Sequence, residues 1–224
     1  MIEKMTEQMI KLTADDGFTL DAFRVTPENS KGGLVILQEI FGMGDQLKSV
    51  ARYFASQGFD AIVPAMFDRI CPNTVIPFDQ AERGRETMLK LDINQTMMDV
   101  ETAIKQVAGS KGVCVLGYCW GGGIAIRAAG MFDLVGAVAY YGTSLQKHMV
   151  NDVKCPTLFH FGDSDTHSPS EVVEEVKRKI PDAEIYIYHA GHAFANDART
   201  TYVEEAASKA NDRTIAFLNS VFKH

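Results

Sequence analysis

An α/β fold with a mostly parallel sheet is the architecture this sequence predicts, and three observations carry it. Six short apolar, β-branched runs recur along the chain, segments of helical period lie between most of them, and one turn signal near the N-terminus separates two strand-like stretches. Strands that alternate with helices bury both sheet faces, so the runs read as continuously apolar and helices cover both faces.

The elements follow in order. Residues Met9 to Leu12 and Thr19 to Val25 flank Asp15-Asp16-Gly17 and predict a hairpin, the one antiparallel edge. The runs then come at Leu34 to Leu37, Phe59 to Val63, Val113 to Leu116, Ala137 to Tyr141, Thr157 to Phe161 and Glu184 to Tyr188. Helices are expected near 45–57, 79–90, 95–108, 121–130, 169–180 and 200–222. Met97, Val100, Ile104 and Val107 recur at three- and four-residue spacing, the mark of a helix with one apolar face on a sheet. Between Pro64 and Gln80 runs a long loop with two further prolines, which either shapes a pocket or covers the core.

Composition narrows the classes. At 224 residues without an abrupt compositional shift, a single domain spanning 1–224 is expected. A net charge of −7 and no dense Lys/Arg run argue against nucleic acid as a partner. No apolar stretch approaches the roughly 20 residues that cross a bilayer, and the N-terminus lacks a signal-peptide core, so neither membrane nor export is expected. Cysteines 71, 114, 119 and 155 show no CxxC pair, which fits a reducing cytoplasm. A monomer is the default expectation.

The chemistry is concentrated in Gly117-Tyr118-Cys119-Trp120-Gly121. A strand ends in G-x-C-x-G and a glycine-rich helix begins, the nucleophile-elbow pattern with cysteine in place of serine. An elbow exposes the thiol at a helix N-terminus, where amides and dipole favour a thiolate. A thiol nucleophile needs a base and a group to orient it. After the strand ending at Phe161 comes Gly162-Asp-Ser-Asp-Thr-His-Ser-Pro169, and after the strand ending at Tyr188 comes His189-Ala-Gly-His-Ala-Phe194. The order nucleophile, acid, histidine after successive strands is that of the α/β-hydrolase arrangement. His192 is the expected base, with Gly191 easing the turn and His189 packing structurally. Asp165 is the preferred acid, with Asp163 left to fix the loop through an Asx-type bond. His167 joins Asp163, Asp165 and His192 in number only: no HxxxH or paired Cys/His spacing supports a metal.

The elbow, the Gly-Asp-Ser-Asp loop, the Ala-Gly-His-Ala-Phe loop and Gln38-Glu-Ile-Phe-Gly42 together resemble the dienelactone hydrolase family, the carboxymethylenebutenolidases, over nearly the whole chain. The resemblance implies Cys119 as nucleophile, His192 as base and Asp165 as orienting acid. It implies that Glu39 contacts the cysteine and controls its ionisation, and that the backbone N–H groups of Trp120 and Ile40 form the oxyanion hole. Family members hold a substrate carboxylate with two arginines. Arg85 stands where the first would be, and Asn196 occupies the second position, with Arg199 three residues further on as a possible substitute. Losing that charge weakens carboxylate binding by about 1.5–3 kcal/mol. Tyr140 is a further expected substrate contact. No metal or organic cofactor is required. The activity implied is opening of an activated lactone or enol ester, a small-molecule substrate, through an acyl-enzyme. A broad carboxylesterase or thioesterase on the same scaffold, and a non-catalytic reactive-thiol protein, are the alternatives.

Overall fold

The Asp15-Asp-Gly17 turn closes the predicted hairpin and joins its two strands in register. In the computed structural model, which describes residues 4–222, β1 (Met5–Thr13) pairs antiparallel with β2 (Thr19–Pro27), Thr13 opposite Thr19. The chain divides into two compact units, up to Val113 and from Cys114 onward.

In the first unit the strands lie in the order β1-β2-β4-β3, where β3 is Gly33–Leu37 and β4 is Asp60–Pro64. β3 and β4 are parallel and wholly buried, as their apolar runs predict. The hairpin's outer pair is not the only antiparallel one, however: β2 also pairs antiparallel with β4. Period-two patterning identifies a strand but not its neighbour, so this pairing is invisible in the sequence. Helix α1 (Asp45–Ser56) packs on β2 and β4, and α2 (Ala81–Met88) follows the long loop. Helix α3 (Ile93–Val107) packs on β3 and β4. Asp92 caps it by accepting from the N–H groups of Asn94 (2.8 Å) and Gln95 (3.0 Å), worth about 1 kcal/mol. Its buried Met97, Val100, Ile104 and Val107 each contribute roughly 1.5–3 kcal/mol by leaving water.

The loop between Pro64 and Gln80 begins with a 3-10 turn, Met66–Arg69, that no periodicity announces. Arg69 fixes it with a bidentate pair to Asp99 of α3 (2.7 and 2.8 Å) and a second pair to Asp16. The rest of the loop folds back over Phe41 and Gly42: Gly42 and Val75 form a β-bridge, Ile76 N–H donates to the Phe41 carbonyl at 2.9 Å, and the Phe41 and Phe78 rings meet at 4.8 Å. It is a cover for that segment of the first unit.

In the second unit β5 (Val113–Tyr118), β6 (Gly136–Tyr140), β7 (Thr157–Gly162) and β8 (Glu184–Tyr188) are parallel and adjacent in that order. Helix α4 (Trp120–Met131) packs on β6 and on the short α5 (Leu145–His148), a helix too brief for a periodic signature. α6 (Ser170–Lys179) packs on α5, and α7 (Glu204–Val221) packs on β6 and β7.

A buried polar chain ties α7 to the sheet. His160 on β7 bonds Thr214 through Nε2 (2.9 Å) and the Tyr188 hydroxyl through Nδ1 (2.8 Å), while the Tyr140 hydroxyl bonds Thr214 (2.6 Å) and donates to Asn211 (3.0 Å). Burial, reinforced by Arg213, pushes His160 down to about 3. A folded value below the unfolded value of about 6.5 means that the unfolded chain takes the proton first, so stability is lost as pH falls from about 6.5 towards 3. At pH 4.5 the loss from this residue is roughly 2–3 kcal/mol. His148, held down to about 4 chiefly by burial, adds to it. Urea unfolding at pH 7.5 and 4.5 should show a smaller difference in His160→Gln than in the wild type. Equal pH dependence in the two proteins would remove His160 as the cause.

Candidate active site

Cys119 sits at a sharp bend in the second unit. Its φ of 54° and ψ of −117° lie outside helix and strand, between the end of β5 and the first residue of α4. Neighbouring main chain holds it there: its N–H donates to the Tyr140 carbonyl (3.0 Å), and its own carbonyl accepts from Thr143 and Gly122 (3.0 Å each). Gly117 makes the bend feasible. A Cβ at that position would lie 1.9 Å from the Gly121 carbonyl oxygen, a contact no side chain tolerates. The thiol is thereby set at the head of α4, 7% exposed, at the positive end of the helix dipole. The other thiols of this unit are differently placed. Burial pushes Cys114 well up and Cys155 up to about 11, leaving both inert at neutral pH.

His192 and Asp165 are delivered by adjacent parallel strands. The loops after β7 and β8 are laced together by Asp163 N–H to the Tyr188 carbonyl (2.8 Å) and Ser164 N–H to the Ala190 carbonyl (3.1 Å). Asp165 Oδ2 accepts from His192 Nδ1 at 2.8 Å, and Oδ1 accepts the His167 main-chain N–H at 2.8 Å. With Nδ1–H committed to a carboxylate, Nε2 is the nitrogen left for the thiol, and His192 is hydrogen-bonded to Cys119. Burial of the imidazole lowers its proton affinity. The bonds to Asp165 and Cys119 outweigh that loss and raise His192 to about 10. Asp165 is itself buried, and the His192 side chain keeps 17% of its surface exposed.

Several details differ from expectation. Asp163 accepts from Ser164 Oγ and from His189 Nδ1 (2.8 Å each), while the Asx-type turn belongs to Asp165. His189 does not pack: its side chain is 99% exposed and paired with Asp163, which raises it and lowers the carboxyl. The positive φ in the histidine loop falls on Ala193, at 60°, rather than on Gly191. Tyr140, the expected substrate contact, is fully buried, and its hydroxyl is occupied within the chain that reaches Thr214. The aromatic beside the histidine is its neighbour. Tyr141, with φ 38°, places its ring 5.2 Å from that of His192 and 5.3 Å from Phe194. Tyr141 follows the last residue of β6, and its positive φ marks where the backbone leaves the strand.

Asn196 is buried, and its Oδ1 accepts from Ala198 N–H at 3.1 Å, closing a turn whose next step is Arg199 N–H to the Asn196 carbonyl. Arg199 is half-buried.

In the first unit, Gln38 braces the segment after β3: its amide donates to the Glu39 carbonyl (3.1 Å) and accepts from Met66 N–H (3.2 Å). Glu39 is buried and Ile40 half-buried. Helix α2 rests on this segment, since a Cβ on Gly84 would lie 2.3 Å from the Ile40 carbonyl oxygen. Arg85, the next residue, is exposed, with no hydrogen bond or ion pair to its guanidinium among the described residues.

The dienelactone hydrolase family model matches residues 20–222. The chain belongs to the dienelactone hydrolase family. A carboxymethylenebutenolidase of Pseudomonas putida is 32% identical over 96% of this chain and 97% of its own length. Among solved structures, a candidate dienelactone hydrolase from Klebsiella pneumoniae subsp. pneumoniae MGH 78578 superposes with a TM-score of 0.85 at 26% identity, covering 96% of this chain and 99% of that one. A dienelactone hydrolase-like promiscuous phosphotriesterase from metagenomic libraries shares the fold, with a TM-score of 0.77 at 18% identity over 97% and 98% of the two chains. This is therefore a hydrolase of the dienelactone hydrolase family with the α/β fold expected of it. No helix among the described residues is long and apolar enough to cross a membrane.

Proposed function

We propose that this family member opens an activated lactone or enol ester through a Cys119-His192-Asp165 triad. The observation that carries the reading is the strained elbow thiol bonded to an imidazole whose other nitrogen is fixed by a buried carboxylate. With the proton on His192, Cys119 attacks the ester carbonyl carbon as a thiolate. The developing oxyanion is met by backbone N–H groups, assigned by the family pattern to Trp120 and Ile40. The C–O bond then breaks, the leaving oxygen takes the His192 proton, and a thioester remains. Water attacks that thioester with His192 accepting its proton, the acid is released, and the thiolate returns. An enolate leaves readily, which suits a thiolate nucleophile. Glu39, as the family pattern has it, acts on the ionisation of the cysteine.

Arg85 is the proposed anchor for a substrate carboxylate, an exposed guanidinium with no described protein anion to hold it. Arg85→Met should raise KM for a carboxylated dienelactone about tenfold, the value of one charge-assisted bond, and change KM for its neutral methyl ester far less. Equal effects on both substrates would remove Arg85 from the binding role.

A second reading has its own support. Asn196 is buried and its carbonyl oxygen is committed to Ala198 N–H, so the position that carries the second arginine elsewhere in the family brings no charge. That favours a broader carboxylesterase or thioesterase. Ultraviolet-monitored hydrolysis of the carboxylated dienelactone beside its methyl ester, in wild type and Cys119→Ala, decides between them. Preference for the acid supports the lactonase, equal or better turnover of the neutral compound supports the esterase, and turnover that survives in Cys119→Ala defeats both.

A further inference from the structure

His167 has no part in the chemistry so far, yet it lies against the proposed base. Its ring centroid is 4.6 Å from that of His192, with the planes tilted by 59°. The residue is exposed, while Tyr141, also beside His192, is fully buried. Its placement is built rather than incidental. Asp165 orients His192 through Oδ2 and, through Oδ1, accepts the main-chain N–H of His167. One residue on, the Ser168 hydroxyl donates to the Gly142 carbonyl at 2.7 Å and pins the loop beside Tyr141. One carboxylate thus sets the positions of two imidazoles.

Chemistry decides which part of a substrate meets the second one. In acyl transfer through Cys119 the acyl half is bound at sulfur and at the oxyanion donors. The base must reach the other half, because it returns its proton to the departing oxygen. An exposed side chain packed against the base is consequently a neighbour of the alcohol half. An imidazole there offers an N–H donor, and a positive charge when protonated, to an oxygen on that half. We infer that His167 is a specificity-determining residue that contacts the leaving-group half of the substrate and favours leaving groups carrying an anionic or strongly hydrogen-bond-accepting oxygen. This role presupposes the hydrolytic reading of Cys119.

The test uses four esters with the wild-type protein, His167→Phe, His167→Arg and Cys119→Ala. 4-Acetoxybenzoate and its methyl ester differ by a charge on the leaving group, whereas monophenyl succinate and phenyl butyrate differ by a charge on the acyl half. Phenylalanine keeps a planar ring beside His192 and removes the donor. The expected result is that the kcat/KM ratio of charged to neutral leaving group falls about tenfold in His167→Phe, mostly through KM, and returns in His167→Arg, while the acyl-half ratio holds. A loss shared equally by all four esters, or one confined to the acyl-half ratio, overturns the assignment. If the wild type hydrolyses none of the four, the hydrolase reading fails and this role with it. If hydrolysis depends on Cys119 but neither ratio moves in His167→Phe, the His167 assignment alone fails.

Discussion

Cys119→Ala is expected to bring ester turnover down by about 10⁴-fold or more, to a level near the uncatalysed rate, with the far-ultraviolet spectrum unchanged. His192→Ala should cost nearly as much, because the thiol then has no proton acceptor and the leaving oxygen no donor. The double variant should be little worse than either single one, since the two act in one step and their effects do not add. Asp165→Asn is the most informative. It keeps the shape but replaces the acceptor of the 2.8 Å bond to Nδ1 with a group that offers either a weaker oxygen or an N–H. The ring loses its preferred tautomer, and kcat should fall by roughly 10³–10⁴-fold, the scale known for such a replacement in hydrolytic triads.

The pH profile supplies an independent reading. Against the opposing effect of burial, Asp165 and Cys119 raise His192 to about 10, above its unfolded value of about 6.5. The stabilisation from this proton is therefore complete below about 6.5 and disappears as pH rises through about 10. Activity that needs the imidazolium should be lost over the same alkaline range. In Asp165→Asn the proton is held less firmly, so the alkaline limb must move to lower pH. A limb that stays in place, measured by kcat/KM from pH 6 to 10.5, would separate His192 from the ionisation that matters.

The second large effect concerns stability in the first unit. Asp99→Ala should destabilise the protein by about 3 kcal/mol, read from the urea midpoint at constant m-value. Asp99 and Arg69 are almost wholly buried, with side chains 1% and 6% exposed. Removing the carboxylate leaves a buried guanidinium with Asp16 and the ring of Phe18, 4.5 Å away, as its partners among the described residues. The pair is nevertheless a poor source of net stability. Burial raises the Asp99 carboxyl above its ordinary value despite the guanidinium beside it, so desolvation is not fully offset. Arg69→Met with Asp99→Leu should accordingly recover most of the loss. A double variant as unstable as Asp99→Ala would show that the ion pair itself, and not the orphaned charge, carries the energy.

What could be read from the chain beforehand follows physical lines. Strands β5, β6 and β7 were legible because each is a buried, largely apolar run, and β8, mostly unburied at the sheet edge, because isoleucine and tyrosine alternate along it. Helix α3 was legible because its apolar residues keep the helical period, whereas α5, at four residues, is shorter than any period can register. The β2–β4 pairing depends on a contact between residues about forty positions apart, which no local pattern encodes. Around the histidine, residue order separates Asp165 from Asp163 only by preference. The distinction rests on which carboxylate faces His192 and which faces His189, a matter of loop path. The place of Tyr141 beside His192 was not legible, because it depends on a left-handed backbone at the strand end that no residue pattern announces. The neighbourhood of His167 was equally out of reach, since the contact of two tilted rings 25 residues apart leaves no trace in spacing.

The left-handed backbone at Cys119 has an evolutionary side. Holding an L-residue at φ 54° and ψ −117° costs on the order of 1–3 kcal/mol, a cost glycine would not incur. Selection for thermal robustness alone would push position 119 towards glycine, and Ala193, at φ 60°, in the same direction. The most heat-resistant descendants of this chain would then include inactive ones, so a search for hardier variants must screen for turnover at every round.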